Sequence, residues 1–89
     1  MGEREVTKIV KDDRGKIIAL RNQYMGWSPI KTEEVIKHIE GNLYNYFANF
    51  PNVGRVDLHV INNGDHKSLI TDPHKTSRNI LGDLPEYVT

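Results

Sequence analysis

The chain has 89 residues, and its twelve Lys and Arg balance twelve Asp and Glu, so the formal net charge is zero. That length allows one domain with a modest core, and that balance excludes the strongly basic character of a dedicated nucleic-acid binder. Cysteine is absent, which removes disulfides, thiolate nucleophiles, iron–sulfur clusters and cysteine-based zinc sites together.

Hydrophobic residues make up 37% of the chain, with nine Ile and seven Val against two Ala, a composition that leans toward strand. The start is charged, and no apolar run approaches the length of a signal peptide or a membrane span. Val6 stands where a myristoylation motif wants Ser or Thr, and no Asn opens a glycosylation acceptor. The expectation is a soluble cytoplasmic protein, one domain over residues 1–89 with an ordered core at about 5–85.

The first predicted element is a hairpin. Residues 5–11 and 16–20 mix β-branched residues with charges, and Asp12-Asp13-Arg14-Gly15 between them supplies an Asp to start a turn and a Gly to take a positive φ. Ile9 and Val10 fall on opposite faces of the first strand, so either both faces are covered or a bulge re-aims one residue. A loop with Gly26 and Trp27 follows. A helix of about ten residues then starts near Thr32, the expected cap, with Glu33 and Glu34 in its first turn. Val35, Ile36, Ile39 and Leu43 form one apolar stripe, and Gly41-Asn42 closes the helix as a left-handed cap would.

Residues 43–50 suit strand or helix by periodicity alone. Tyr44, Tyr46, Ala48 and Phe50 alternate with Asn45, Phe47 and Asn49, and the preceding Gly-Asn and the three Asn favour strand. Pro51 to Gly54 is a turn. Residues 55–61 read as the clearest strand, with Val56, Leu58 and Val60 on one face and Arg55, Asp57 and His59 on the other. Asn62-Asn63-Gly64-Asp65 is a hairpin turn, and residues 67–71 form the return strand. From Asp72 to Pro85 nothing is periodic, and so long a loop in so small a domain is typically functional or disordered. Ile80, Leu81 and Leu84 are positioned to pin it to the core.

The order ββαβββ predicts an α+β fold: one antiparallel sheet with a helix packed on one face. The expected core is Val6, Ile9, Ile18, Leu20, Trp27, Val35, Ile36, Ile39, Leu43, Val56, Leu58 and Val60.

Four segments carry a family resemblance: residues 8–20 (KIVKDDRGKIIAL), Trp27-Ser28-Pro29-Ile30, Val56 to Val60, and residues 69–85 (LITDPHKTSRNILGDLP). In this order they resemble a family of small prokaryotic proteins known as domain of unknown function 3892, over about Val6 to Pro85. The Tyr44 to Phe50 stretch departs from the pattern. The resemblance implies a small stand-alone domain and transfers no activity, cofactor or catalytic residue.

His38, His59, His66 and His74 raise the question of a metal. Zinc needs three or four converging ligands, and no His pair has ligand spacing. Asp57 and His59 share a strand face with His66 across the hairpin, but solvated surface residues are the better account, so no metal and no cofactor is expected. Asp57 with His59, or Ser68 or Thr71 as a nucleophile, match no catalytic motif, and no enzyme activity is expected. The stronger signal is a basic segment. Lys67, His74, Lys75 and Arg78, with the Thr76 hydroxyl, suit an anionic group on a partner. The expected function is a non-catalytic binding or regulatory module for another macromolecule, a protein first, acting as a monomer or weak homodimer. The alternative is a weak nucleic-acid binder that uses the 67–78 segment for phosphates and the aromatics Tyr44, Tyr46 and Phe50 for stacking.

Overall fold

The computed structural model describes residues 2–87. Met1, Val88 and Thr89 of the expected domain lie outside the described residues. Strands β1 (Gly2–Glu5), β2 (Lys8–Lys11), β3 (Ile17–Arg21) and β4 (Ile30–Lys31) precede helix α1 (Thr32–Glu40). Strands β5 (Tyr44–Phe50), β6 (Gly54–Asn63) and β7 (His66–Thr71) follow, and a 3₁₀ turn covers Leu81–Asp83. The class is the α+β single domain expected, but the strands form two sheets rather than one: β1-β5-β6-β7 and β2-β3-β4. All pairings between strands are antiparallel except β1 on β5.

The single strand expected over 5–11 divides because its apolar residues cannot share a face. Val6 and Ile9 are three residues apart, an odd spacing that sends them to opposite sides of a straight strand, yet both are buried. The chain resolves this by changing sheets. The Val6 amide donates to the Phe47 carbonyl of β5 at 2.7 Å, and the next amide, Thr7, donates to the Arg21 carbonyl of β3 at 2.9 Å. Val6 and Ile9 then meet in one core cluster shared by both sheets.

The β2–β3 turn forms as its residues dictate. The Asp12 carboxylate accepts from the Arg14 and Lys16 amides, both at 2.9 Å, and Gly15 takes a φ of 82°. A bulge follows: Val10 pairs with Ala19 and Lys11 with Ile17, so Ile18 has no partner. The extra residue inverts the expected facing. Ile17 packs against the core, while Ile18, expected inside, is 41% exposed.

Helix α1 starts where expected, but Lys31 rather than Thr32 is the cap, and among the described residues no side chain caps the first turn. At the other end Asn42 carries the left-handed conformation with φ 57°, and the Leu43 amide reaches back to the His38 carbonyl at 2.9 Å. That turn carries Leu43 past the last helical residue and leaves it 60% exposed, against its expected place in the core. Val35 is buried, with Ile36 and Ile39 packed beside it.

Residues 44–50 are strand, as the Asn-rich alternation favours. Tyr46, Ala48 and Phe50 are buried and join Val56 and Leu58 of β6 in the core, with Val60 at its margin. The β6–β7 loop is Gly64-Asp65, with Gly64 at φ 76° as a two-residue type II′ turn requires.

The aperiodic segment 72–85 is a strap that joins the sheets. Leu81 and Leu84 are buried, and Ile80 packs beside them. Beyond it, the Ile9 amide donates to the Pro85 carbonyl at 3.0 Å and the Tyr87 amide to the Ile9 carbonyl at 2.8 Å, so the strap runs parallel to β2. No helix among the described residues is long and apolar enough to cross a membrane.

Candidate functional site

The strap is held by side chains that replace backbone pairing. Asn79 is its central fastener: its carbonyl oxygen accepts from the Thr71 amide at 3.2 Å and the Leu81 amide at 3.1 Å, and its amide group donates to the Leu69 carbonyl at 3.3 Å. Thr71, 1% exposed, accepts from the Ile80 amide at 3.1 Å and shares a 2.9 Å hydroxyl contact with Thr76. Asp72 opens the segment with an Asx turn, its carboxylate accepting from the His74 amide at 2.9 Å. Its carbonyl accepts from the Lys75 and Thr76 amides at 3.0 and 3.1 Å. The chemistry is that of short polar side chains bonding nearby backbone, which has no periodicity to read.

This wiring sorts the five residues expected to bind a partner. His74 and Lys75 are exposed on the outer face of the strap, and Lys75 makes no ion pair among the described residues. Arg78 is exposed too, but it pairs with Asp83 at 2.8 Å. Thr76 is half-buried, and its hydroxyl is engaged with Thr71 and with the Asp72 carbonyl, so it does not project into water. Lys67 sits at the far end of β7, paired with Glu40 at 3.0 Å. At about 3.3 Å per strand residue it lies some 16 Å along the chain from Asp72. The patch therefore gathers His74, Lys75 and Arg78, and leaves Lys67 apart.

The sheet aromatics are committed elsewhere. Tyr46 and Phe50 are buried, and half-buried Tyr44 lies under the Arg4 guanidinium at 3.6 Å, so they offer no stacking platform for bases. Around Tyr46 the structure builds a polar cluster that sequence reasoning missed. Arg4 donates to the Tyr46 hydroxyl at 3.0 Å, and that hydroxyl lies 2.7 Å from His38 Nδ1. Arg4 can only donate, so the phenol oxygen accepts from it, and with the imidazole in its Nε2–H tautomer the phenol donates its O–H to Nδ1. Trp27, expected in the core, packs at its margin, edge-on against Tyr46 at 5.9 Å. Burial raises the Tyr46 pKa, with Arg4 pulling the other way, so the phenol stays protonated at neutral pH. A hydroxyl so enclosed ties β1, α1 and β5 together. The signal that could have found this cluster is Arg4 and Tyr46 at matching register on strands that only the parallel β1–β5 pairing brings together.

The surface face of β6 holds a second polar group. Arg55 pairs with Glu3 of β1 and with Asp57 at 3.2 Å, and its guanidinium covers the Phe47 ring at 4.0 Å. The Arg55 hydrogen bond and charge hold the Glu3 carboxyl below its ordinary pKa. Of the residues weighed for a metal, Asp57 is thus paired with Arg55, while His59 Nε2 lies 4.0 Å from Asp72. Among the described residues no three His, Asp or Glu side chains converge as metal ligands would. No family model, no curated protein and no solved structure matches the chain.

Proposed function

We propose that the protein is a non-catalytic binding module that engages an anionic surface of another macromolecule, a protein first, through the outer face of the strap. The single observation that supports this is the combination of wiring and exposure in one segment. Asn79, Thr71 and Asp72 fix the backbone from inside, while His74, Lys75 and Arg78 stay exposed. A loop already ordered before it meets its partner loses little conformational entropy on binding. The Arg78–Asp83 pair is exposed on both sides, and such pairs are worth about 0–1 kcal/mol, so a partner carboxylate or phosphate can displace Asp83. The reading places the protein in the cytoplasm.

Titration of the labelled chain with an Asp/Glu-rich peptide, and separately with single- and double-stranded oligonucleotides, tests it. Saturable amide shifts at residues 74–78 with the peptide at moderate salt, lost in the Lys75→Ala/Arg78→Ala variant, are expected. Oligonucleotide binding that falls steeply with salt while the peptide is silent favours a nucleic-acid partner instead. Silence toward both at low salt removes the proposal.

A further inference from the structure

A cleft of about 250 Å³ opens where the β2–β3 turn, the start of α1, β7 and the strap converge. Four stretches of chain far apart in sequence wall it, and its apolar surface comes from Ile17, Ile36, Leu69 and Leu81. Leu69 and Leu81 are 7% and 1% exposed, so they form its deep side. The bulge in β3 contributes directly, since it sets Ile17 rather than Ile18 against the core. An apolar cavity of about 150 Å³ is enough to take up benzene, so this cleft accommodates a body of roughly one ring or a short branched chain.

Polar groups lie on the same walls. Among the wall residues Lys16 and Lys67 carry ammonium groups and Thr32 a hydroxyl, whereas Ser68, next to buried Leu69 on β7, turns its side chain to the opposite face of the strand. Lys16 has no ion pair among the described residues, whereas Lys67 is matched by Glu40 at 3.0 Å. The cleft therefore carries one net positive charge. The Thr32 hydroxyl is 3.5 Å from the Ile18 carbonyl, at the limit of a hydrogen bond, which leaves it available to a ligand. The α1 N-terminus, with Thr32 as its first residue, has no side-chain cap among the described residues, and Glu33 and Glu34 in its first turn offset its positive dipole end, so Lys16 is the cation that a ligand would meet.

The geometry points to a binding site for a small organic acid: one carboxylate on a compact apolar body, the anion between Lys16 and the Thr32 hydroxyl and the body against Leu69 and Leu81. One net charge matches a carboxylate monoanion and underserves a phosphate dianion. This site is separate from the outer face of the strap, so its failure would leave the partner-binding proposal standing.

The test is amide chemical-shift titration of the full chain with benzoate, benzamide, phenyl phosphate and inorganic phosphate. Benzoate is expected to saturate with an affinity in the millimolar range, about what so small a ligand can gain, moving the amides of Lys16, Ile17 and Ser68. Benzamide should bind about fivefold or more weakly, the equivalent of one lost charge interaction, and both phosphates more weakly than benzoate because their second charge finds no partner. Lys16→Met should weaken benzoate by a similar factor, and Thr32→Val, which removes the hydroxyl at nearly constant volume, should weaken it as well while the melting temperature holds. Absence of saturation, equal binding of benzamide, or unchanged binding in both variants overturns the site. Tighter binding of phenyl phosphate overturns the carboxylate assignment.

Discussion

Strand β5 and the strap both end up in the core, and they get there by different physics. In β5 a period of two does the work: Tyr46, Ala48 and Phe50 face inward, and the backbone is satisfied by β1 and β6. The strap has no period at all. It delivers Leu81 and Leu84 to the same core by hanging its backbone from three short polar side chains, Asp72, Thr76 and Asn79, and from Thr71 at the end of β7. An irregular segment can therefore be as fixed as a strand, provided its amides find partners. It then has a spare face, because nothing else needs to pair with its outer edge.

The comparison breaks most easily at the point where the strap meets the core. Leu81→Ala removes a side chain that is 1% exposed and should destabilise the protein by about 3 kcal/mol in urea denaturation. Asn79→Ala should cost about 2 kcal/mol, because it strands the Thr71 and Leu81 amides and the Leu69 carbonyl together. If that variant matches wild type, the strap is held by its leucines alone. For β5 the corresponding test is Tyr46→Phe, which keeps the ring and leaves Arg4 and His38 without their shared oxygen. A loss of about 1 kcal/mol is expected. Since burial raises the Tyr46 pKa, the unfolded phenol ionises first. Wild-type stability should therefore fall as pH climbs past about 10, and the Phe variant should lose that slope.

Much of this architecture is legible in the chain, and the misreadings have local causes. The hairpins, the helix and the inward faces of β5 and β6 follow from turn residues and alternation. Ile18 was misplaced because a one-residue bulge reverses facing without any mark in composition. Leu43 fits the helical stripe by count, yet the left-handed Asn42 ends the helix before it. The division of residues 5–11 between two sheets is long-range: it depends on β5 and β3 offering carbonyls to Val6 and Thr7. Of the candidate site, the exposure of His74 and Lys75 could be read from the sequence. The inward turn of Thr76 and the isolation of Lys67 could not, since Thr71 and Glu40 are their partners only in the folded chain.

Smaller effects sharpen the surface side of the comparison. Arg55 depresses the Glu3 pKa, so the contribution of that pair is present above the ordinary glutamate range and lost as pH falls through the depressed value. Carbon-detected titration should find the Glu3 midpoint below that of free glutamate, and Arg55→Gln should move it back up. An unchanged midpoint would mean the pair does not persist in water. Lys75→Ala/Arg78→Ala should shift stability by less than about 0.5 kcal/mol, since both side chains lie on the exposed face. A larger loss would place those cations in the fold rather than at its binding face.

Amide hydrogen exchange across the strap tests the central claim most directly, that this segment is fixed from within while its outer face stays free. The Thr71, Ile80 and Leu81 amides, each donated to a side-chain oxygen, should be protected to within about 1 kcal/mol of the β6 amides. Ser77 and Arg78, at the outer bend, should exchange freely. Fast exchange at Ile80 and Leu81 while β6 remains protected would show a strap that is only loosely laid over the sheets, and would contradict the account.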